Sequence, residues 1–251
     1  MINGSELILK QPSLVNDGLQ NTHLNTVLSQ LFVSKSQSPV SLVRIACHVH
    51  EFANCLPAAT WLKDQGYMVG FNLMQVADRS LDEITALAKK ANNYPIDVLY
   101  FADSMGSLSP KQTGQIVNAF KAGWQGELGI HTHDNMGQAI PNTLQAIDAG
   151  VTWVDSTVTG MGRGPGNAQT EYLAIAIEHL REQKGNPTKL LELIRKYLKP
   201  MQEQHGWGTN PYYYLAGKYG IHPSYIQEML TDRRYSEEDI LAVIEHLKVE
   251  G

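Results

Sequence analysis

Cysteine is scarce in this chain, with only Cys47 and Cys55 in 251 residues. Their placement matches no zinc or redox motif, so both read as small core or pocket-wall residues. Reduced thiols of that kind suggest a cytoplasmic protein. Long apolar runs are also missing: none reaches the roughly 18 residues that a membrane span requires. There is no excess of basic residues either. The net charge is −5, which argues against nucleic acid or an anionic membrane as a partner, since both need clustered Lys and Arg. The first residues, Met1-Ile2-Asn3-Gly4-Ser5-Glu6, show no basic segment leading into an apolar core, so no signal peptide is expected. What remains is ordinary globular material, 43% apolar and 18% charged, enough for one large domain or two small ones.

The chain becomes regular after residue 40. Val40–Cys47, Tyr67–Met74, Ile96–Phe101, Gly126–His133 and Val151–Asp155 read as strands. Helices fill the intervals, over Phe52–Gln65, from the Ser80-Leu-Asp-Glu83 capping box to Ala91, from Ser109-Pro110 to about Ala122, and over Pro141–Ala149. A short piece at Leu7-Ile8-Leu9 reads as a strand or a helix start, and residues 10–40 are polar apart from Val27-Leu28 and Leu31-Phe32-Val33. Alternation of this kind predicts a parallel α/β sheet with right-handed crossovers, either a (β/α) barrel or an open doubly wound sheet. From Asn186-Pro187 the pattern turns all-helical. The expected organisation is a partial barrel over 1–185 and a helical extension over 186–251.

In both architectures the chemistry sits at the carboxyl ends of the strands. The polar residues that packing does not explain fall there: His48 and His50, Asn72 and Gln75, Asp103-Ser104, His131 and His133, and Asp155–Thr159. Residues at i and i+2 of a strand share a face. His131 and His133 therefore aim two imidazoles at one point, and imidazole is the commonest protein ligand for a metal. The alternative is one histidine capping a loop and the other satisfied in the core. Asp103 and His48 are the catalytic candidates. Asp103 could orient a ligand or merely order its loop; His48, with His50, could serve as acid or base or be a loop residue. Arg44 and Asn72 are candidate substrate contacts, with a structural ion pair and a cap as their alternatives. A further contact is assigned to position 158, a valine between Thr157 and Thr159. The Gly160–Gly166 run reads as a tight turn rather than a phosphate cradle. The tyrosines at 212, 213 and 214 are expected to pack the helical extension.

Three segments in order, Ala102-Asp-Ser-Met-Gly106, Gly129-Ile-His-Thr-His-Asp-Asn135 and Val154-Asp-Ser-Thr-Val-Thr-Gly-Met-Gly-Arg-Gly-Pro-Gly-Asn167, resemble the metal-dependent aldolase and lyase superfamily of TIM barrels. That group includes 4-hydroxy-2-oxovalerate aldolase, 3-hydroxy-3-methylglutaryl-CoA lyase and the isopropylmalate and homocitrate synthases. The resemblance covers roughly residues 40–175 and is strongest to the aldolase branch. It implies that His131 and His133 hold a divalent ion, usually Mg²⁺ or Mn²⁺, and that Asn167 adds a ligand. It also implies a 2-oxo acid substrate whose C–C bond breaks or joins through an enolate.

The pattern departs in one respect. The family's first strand carries an Arg-Asp-Gly-like turn with an aspartate ligand, and nothing before Val40 resembles it. About six strands are therefore expected, with the first two βα units lacking. The remaining ligands are neutral, a set that would favour Zn²⁺ or Ni²⁺ over harder cations, or stay empty. Open sheet edges would be met by pairing in a homo-oligomer or by residues 10–40. The competing expectation is a catalytically silent truncated barrel that serves as a structural or interaction module.

Overall fold

The computed structural model describes residues 5–10, 21–180, 185–232 and 234–249. Six strands form one sheet in sequence order: β1 (Ser5–Lys10), β2 (Val40–His48), β3 (Met68–Met74), β4 (Val98–Asp103), β5 (Glu127–Thr132) and β6 (Trp153–Val154). The pairs β1–β2, β2–β3 and β3–β4 are parallel. Helices follow the strands: α1 (Asn21–Leu31), α2 (Phe52–Cys55) and α3 (Pro57–Asp64), α4 (Leu81–Ala91), α5 (Pro110–Gly123) and α6 (Ala139–Asp148). This is the α/β order of a TIM-type barrel with six strands, followed by a helical extension. α7 (Thr170–Ala176) comes before that extension, which holds α8 (Pro187–Leu193), α9 (Lys199–His205), α10 (Pro211–Lys218), α11 (Pro223–Thr231) and α12 (Glu237–Val249).

The chain divides into two compact units. The first takes Met1–Ala102, Gly114–Ile130 and Ala149–Trp153; the second takes Asp103–Thr113, His131–Asp148 and Val154–Gly251. The chain passes from the first to the second at the carboxyl ends of β4, β5 and β6.

Local signals set the helix starts. At α4, Ser80 Oγ accepts from the Glu83 amide while the Glu83 carboxylate accepts from the Ser80 amide, so two otherwise orphaned donors are satisfied reciprocally. Ser109 and Gln112 repeat the arrangement before α5. The expected single helix over Phe52–Gln65 is instead two, because Pro57 begins α3 and brings no amide hydrogen to the ladder. The strand expected over Val151–Asp155 shortens to Trp153–Val154. The polar stretch before residue 40 contains α1, whose Leu28 is buried while its last residue, Leu31, and Val33 just beyond it stay exposed. The suggestion that residues 10–40 cover an open edge falls partly on 11–20, outside the described residues.

The first unit has an aromatic and aliphatic core, with Phe52 edge-on to Phe71 (5.6 Å) and Phe101 stacked on Phe120 (5.4 Å). Its most deeply buried polar side chain is an arginine. Arg44 is only 2% exposed, and its guanidinium carbon lies 4.2 Å from the centre of the Tyr100 ring. In register, Arg44 faces Gly70, where a Cβ would stand 3.2 Å from Arg44 Cγ. The second unit has its own apolar cluster around Tyr213, Ile226, Ile240 and Ile244 in α10–α12. Of the three neighbouring tyrosines only Tyr213 is buried, while Tyr214 is exposed. Among the described residues no helix is long and apolar enough to cross a membrane.

Gly129 is demanded by its neighbour, since a Cβ there would collide with the Tyr100 ring. Over-packing a filled core costs about 1–3 kcal/mol. Gly129→Ala is therefore expected to lower the free energy of unfolding by that amount, read as a lower urea midpoint with an unchanged slope. An unaltered midpoint would mean that Tyr100 is not held in place by Arg44 and Trp153.

Candidate metal centre

The segment at the end of β5 alternates as a strand should. Thr132 points to one side, where its hydroxyl lies 3.0 Å from the Thr143 hydroxyl and donates to the Ala139 carbonyl of α6. His131 and His133 therefore point to the other side. Their ring centroids are 5.0 Å apart with an interplanar angle of 86°. Two imidazoles on one side of a strand tip is the geometry expected from their spacing.

Each ring is fixed through Nδ1. His131 Nδ1 lies 2.8 Å from Asp155 Oδ2, and His133 Nδ1 lies 2.9 Å from the backbone oxygen of Asp103. A carbonyl oxygen can only accept, so His133 Nδ1 carries the proton and donates. A carboxylate in the same role makes His131 Nδ1 the donor too. In each neutral ring the lone pair then belongs to Nε2, the tautomer in which a histidine ligates a metal while its other nitrogen is anchored.

Asp103 serves this arrangement twice. Its backbone oxygen takes His133, and its carboxylate accepts from the amides of Ser107 (3.1 Å) and Leu108 (3.3 Å), curling the loop after β4. Burial pushes the Asp103 carboxyl up to about 6. The amides of Ser107, Leu108 and Gly106 and the nearby His131 pull in the opposite direction. Asp134, next to His133, is also raised by burial and accepts from the Ala139 amide at the start of α6. Asn135 is fully buried: Thr209 donates to its backbone oxygen, and Gly106 and Gly217 leave room for its side chain by lacking a Cβ.

The glycine run that follows β6 is a turn. Gly160, Gly164 and Gly166 take positive φ, and the Asn167 amide donates back to the Gly160 carbonyl. The turn sets Asn167 opposite His133 in an isolated antiparallel bridge. The Asn167 side-chain nitrogen donates to the Met161 carbonyl (3.1 Å), so Oδ1 is the atom of that amide left to accept. A cavity of about 420 Å³ borders Asn167, with Asp134, Gln169, Trp207 and Thr209 among its walls. Val158 offers no polar side-chain group, so polar contact near that position falls to its neighbours. Thr159 takes a left-handed φ of 56°, its amide donating to Glu171 and its carbonyl accepting from Trp207 Nε1.

The remaining candidates belong to the first unit. His48 and His50 stack at 5.6 Å, as their spacing suggests, and the Glu51 carboxylate accepts from the His48 amide. Asn72 is buried in β3 between Ala46 and Tyr100, and Gln75 ends that strand in a left-handed conformation. Two contributors were absent from the sequence-based candidates. Asp155 had been noticed only as a strand-end polar residue, and Glu51 not at all. Glu51 closes a local turn onto the His48 amide, whereas Asp155 reaches His131 across 24 positions, a contact hinted at only by the order of β5 and β6. Among the described residues, no three side chains of His, Cys, Asp or Glu converge as a metal-binding group. The candidate donors are thus two anchored imidazoles and one carboxamide.

The HMGL-like family profile matches residues 17–196. A protein of Nocardia farcinica named 4-hydroxy-2-oxovalerate aldolase 2 is 35% identical over 142 residues, which cover 57% of this chain and 41% of that protein. A 4-hydroxy-2-oxovalerate aldolase of Pelotomaculum thermopropionicum is 34% identical over 169 residues, covering 67% of this chain and 50% of its own length. The chain thus spans about half or less of the curated relatives it matches. Among solved structures, the N-terminal domain of a putative aldolase from Bacteroides vulgatus superposes with a TM-score of 0.73 at 26% identity, over 95% of this chain and 74% of that one. The chain belongs to the HMGL-like family.

Proposed function

We propose that this chain carries the metal-holding part of a divalent-metal-dependent aldolase or lyase acting on a 2-oxo acid, as in 4-hydroxy-2-oxovalerate aldolase. The observation that carries this reading is the pair of Nδ1 hydrogen bonds. Anchoring both rings through Nδ1 presents Nε2 as the basic nitrogen of each, and no packing requirement asks for that tautomer twice in three residues. The residues fit an ion as a neutral partial set: His131 and His133 would hold it through Nε2, with the Asn167 carboxamide oxygen as a further donor. A bound ion would supply Lewis-acid polarisation of the 2-oxo acid.

The protein's own groups have separable tasks. Asp155 orients His131 and fixes its tautomer by accepting from Nδ1. Asp103 fixes His133 through its backbone and holds the loop over 103–108. With a carboxyl raised to about 6, it also exists in both protonation states near neutral pH and could relay a proton. The Gly160–Gly166 turn delivers Asn167. For the first unit, His48 as an acid or base and Arg44 and Asn72 as substrate contacts remain part of this proposal.

A second reading draws on the missing carboxylate donor: a silent barrel fragment retained as a structural module in a homo-oligomer. Metal titration separates the two. Equilibrium dialysis with Mn²⁺ and with Zn²⁺ is expected to give one site per chain, lost in His131→Ala together with retro-aldol turnover of a 4-hydroxy-2-oxo acid. Stoichiometric binding without turnover would favour the silent module, and turnover surviving His131→Ala would end the metal role. Asp155→Asn keeps the shape but weakens the acceptor, and outer-shell losses of this kind cost about 10–100-fold in metal affinity. An affinity unchanged by Asp155→Asn would show that His131 is not held by that carboxylate.

A further inference from the structure

The connector between α9 and α10, Gly206-Trp207-Gly208-Thr209-Asn210, carries no candidate donor. Local chemistry fixes its two ends. Gly206 closes α9 in a left-handed conformation (φ 70°), its amide donating to the Gln202 carbonyl, and Gln202 Nε2 donates to the Trp207 carbonyl (3.1 Å). At the other end Asn210 caps α10, with Oδ1 accepting from the Tyr213 amide (3.0 Å). Between these anchors three consecutive residues each donate one hydrogen bond outward. Trp207 Nε1 donates to the Thr159 carbonyl (3.1 Å), the Gly208 amide to the Gly164 carbonyl (2.9 Å) and the Thr209 hydroxyl to the Asn135 carbonyl (2.6 Å). Gly208 turns its amide that way at a φ of 123°, which glycine adopts readily.

All three acceptors lie in the two loops that carry Asn167 and His133. The path from Thr159 to Asn167 is short. Thr159 is left-handed, a conformation that a β-branched residue keeps only where its surroundings enforce it. Its amide donates to Glu171 and its carbonyl accepts from Trp207, so the turn is pinned on both sides. The next carbonyl, that of Gly160, accepts from the Asn167 amide at 3.1 Å. On the other loop Asn135 stands two residues after His133, and the Asp134 amide between them donates to the Gly166 carbonyl (3.0 Å). The two loops are thus joined to each other, and both are joined to the connector.

We propose that Trp207, Gly208 and Thr209 are positioning residues that hold the Asn167 and His133 loops in register for one ion, a role that rests on the metal reading of the site. Their bonds go to backbone oxygens and not to the candidate donors. The bond to Thr159 sets where Gly160 meets Asn167, the bond to Asn135 fixes the chain leaving His133, and the bond to Gly164 holds the middle of the glycine turn. All of these residues belong to the second unit.

Zn²⁺ affinity of the whole chain, measured by competition with a chromophoric chelator, tests this. Trp207→Phe keeps a ring and loses the donor, and Thr209→Val keeps the shape and loses the hydroxyl. Each is expected to bind Zn²⁺ about tenfold more weakly, the low end for loss of an outer-shell partner. Thr209→Ser, which retains the hydroxyl, is expected to bind as the wild type does. In an Asn167→Ala background Trp207→Phe is expected to cost nothing further, because its route to the ion ends at Asn167. Equal losses in both backgrounds, no loss in the single variants, or a Thr209→Ser chain as weak as Thr209→Val would overturn the proposal. A second readout needs no metal. In the ion-free chain the Asn167 amide is expected to exchange with solvent deuterium faster in Trp207→Phe, and the Asp134 amide in Thr209→Val, while amides of β2–β4 keep their rates. Unchanged rates, or acceleration everywhere, would refute the clamp. A wild type that binds no Zn²⁺ sinks the metal reading, and the exchange rates then decide the clamp alone. Thr209 lies at the surface, so its two variants decide should Trp207→Phe not fold.

Discussion

The candidate centre depends on two hydrogen bonds that convert a short His-Thr-His sequence into a directed pair of donors. A histidine on a strand tip has two ring nitrogens and a free torsion, so spacing alone puts the rings on one side without choosing which nitrogen faces outward. The Asp155 carboxylate and the Asp103 carbonyl make that choice, at 2.8 and 2.9 Å. Thr132, bonded into α6 on the opposite side, keeps the strand from rotating the pair away. The arrangement carries a cost at Asp103, whose carboxyl is buried and raised to about 6. Burying a carboxylate is tolerable only when amides replace the lost water, and those of Ser107 and Leu108 do so. The loop after β4 is shaped by that requirement, and the shape puts the Asp103 carbonyl where His133 meets it.

How much of this could be read in advance follows the range of each interaction. Helix starts at Ser80, Ser109, Asn186 and Ser236 are written in neighbouring residues, because a cap bonds two or three positions along the chain. The pairing of His131 with His133, and of His48 with His50, follows from the two-residue strand period and was equally legible. Asp155 was not, because it reaches His131 across 24 positions and depends on β6 lying next to β5. Helix α1 escaped because its residues are mostly polar, and only a narrow stripe through Leu24 and Leu28 is buried.

Charge sets what an ion would find at this centre. As ligands both imidazoles and the Asn167 carboxamide would be neutral, and the Asp155 carboxylate stands one imidazole away, behind His131. Routed through His131, that charge increases the electron density of a nitrogen donor and adds no oxygen ligand. Nitrogen donors gain most with borderline cations, whereas Mg²⁺ gains little without carboxylate or phosphate oxygen. On the proposed reading the histidine pair is therefore a nitrogen-rich half-sphere whose preference moves toward Zn²⁺, and a carboxylate brought to the remaining half would shift it back toward Mg²⁺ and Mn²⁺. The identity of the ion and the completeness of the donor set are then one question, because the same carboxylate that would finish the coordination sphere would also decide which metal fills it.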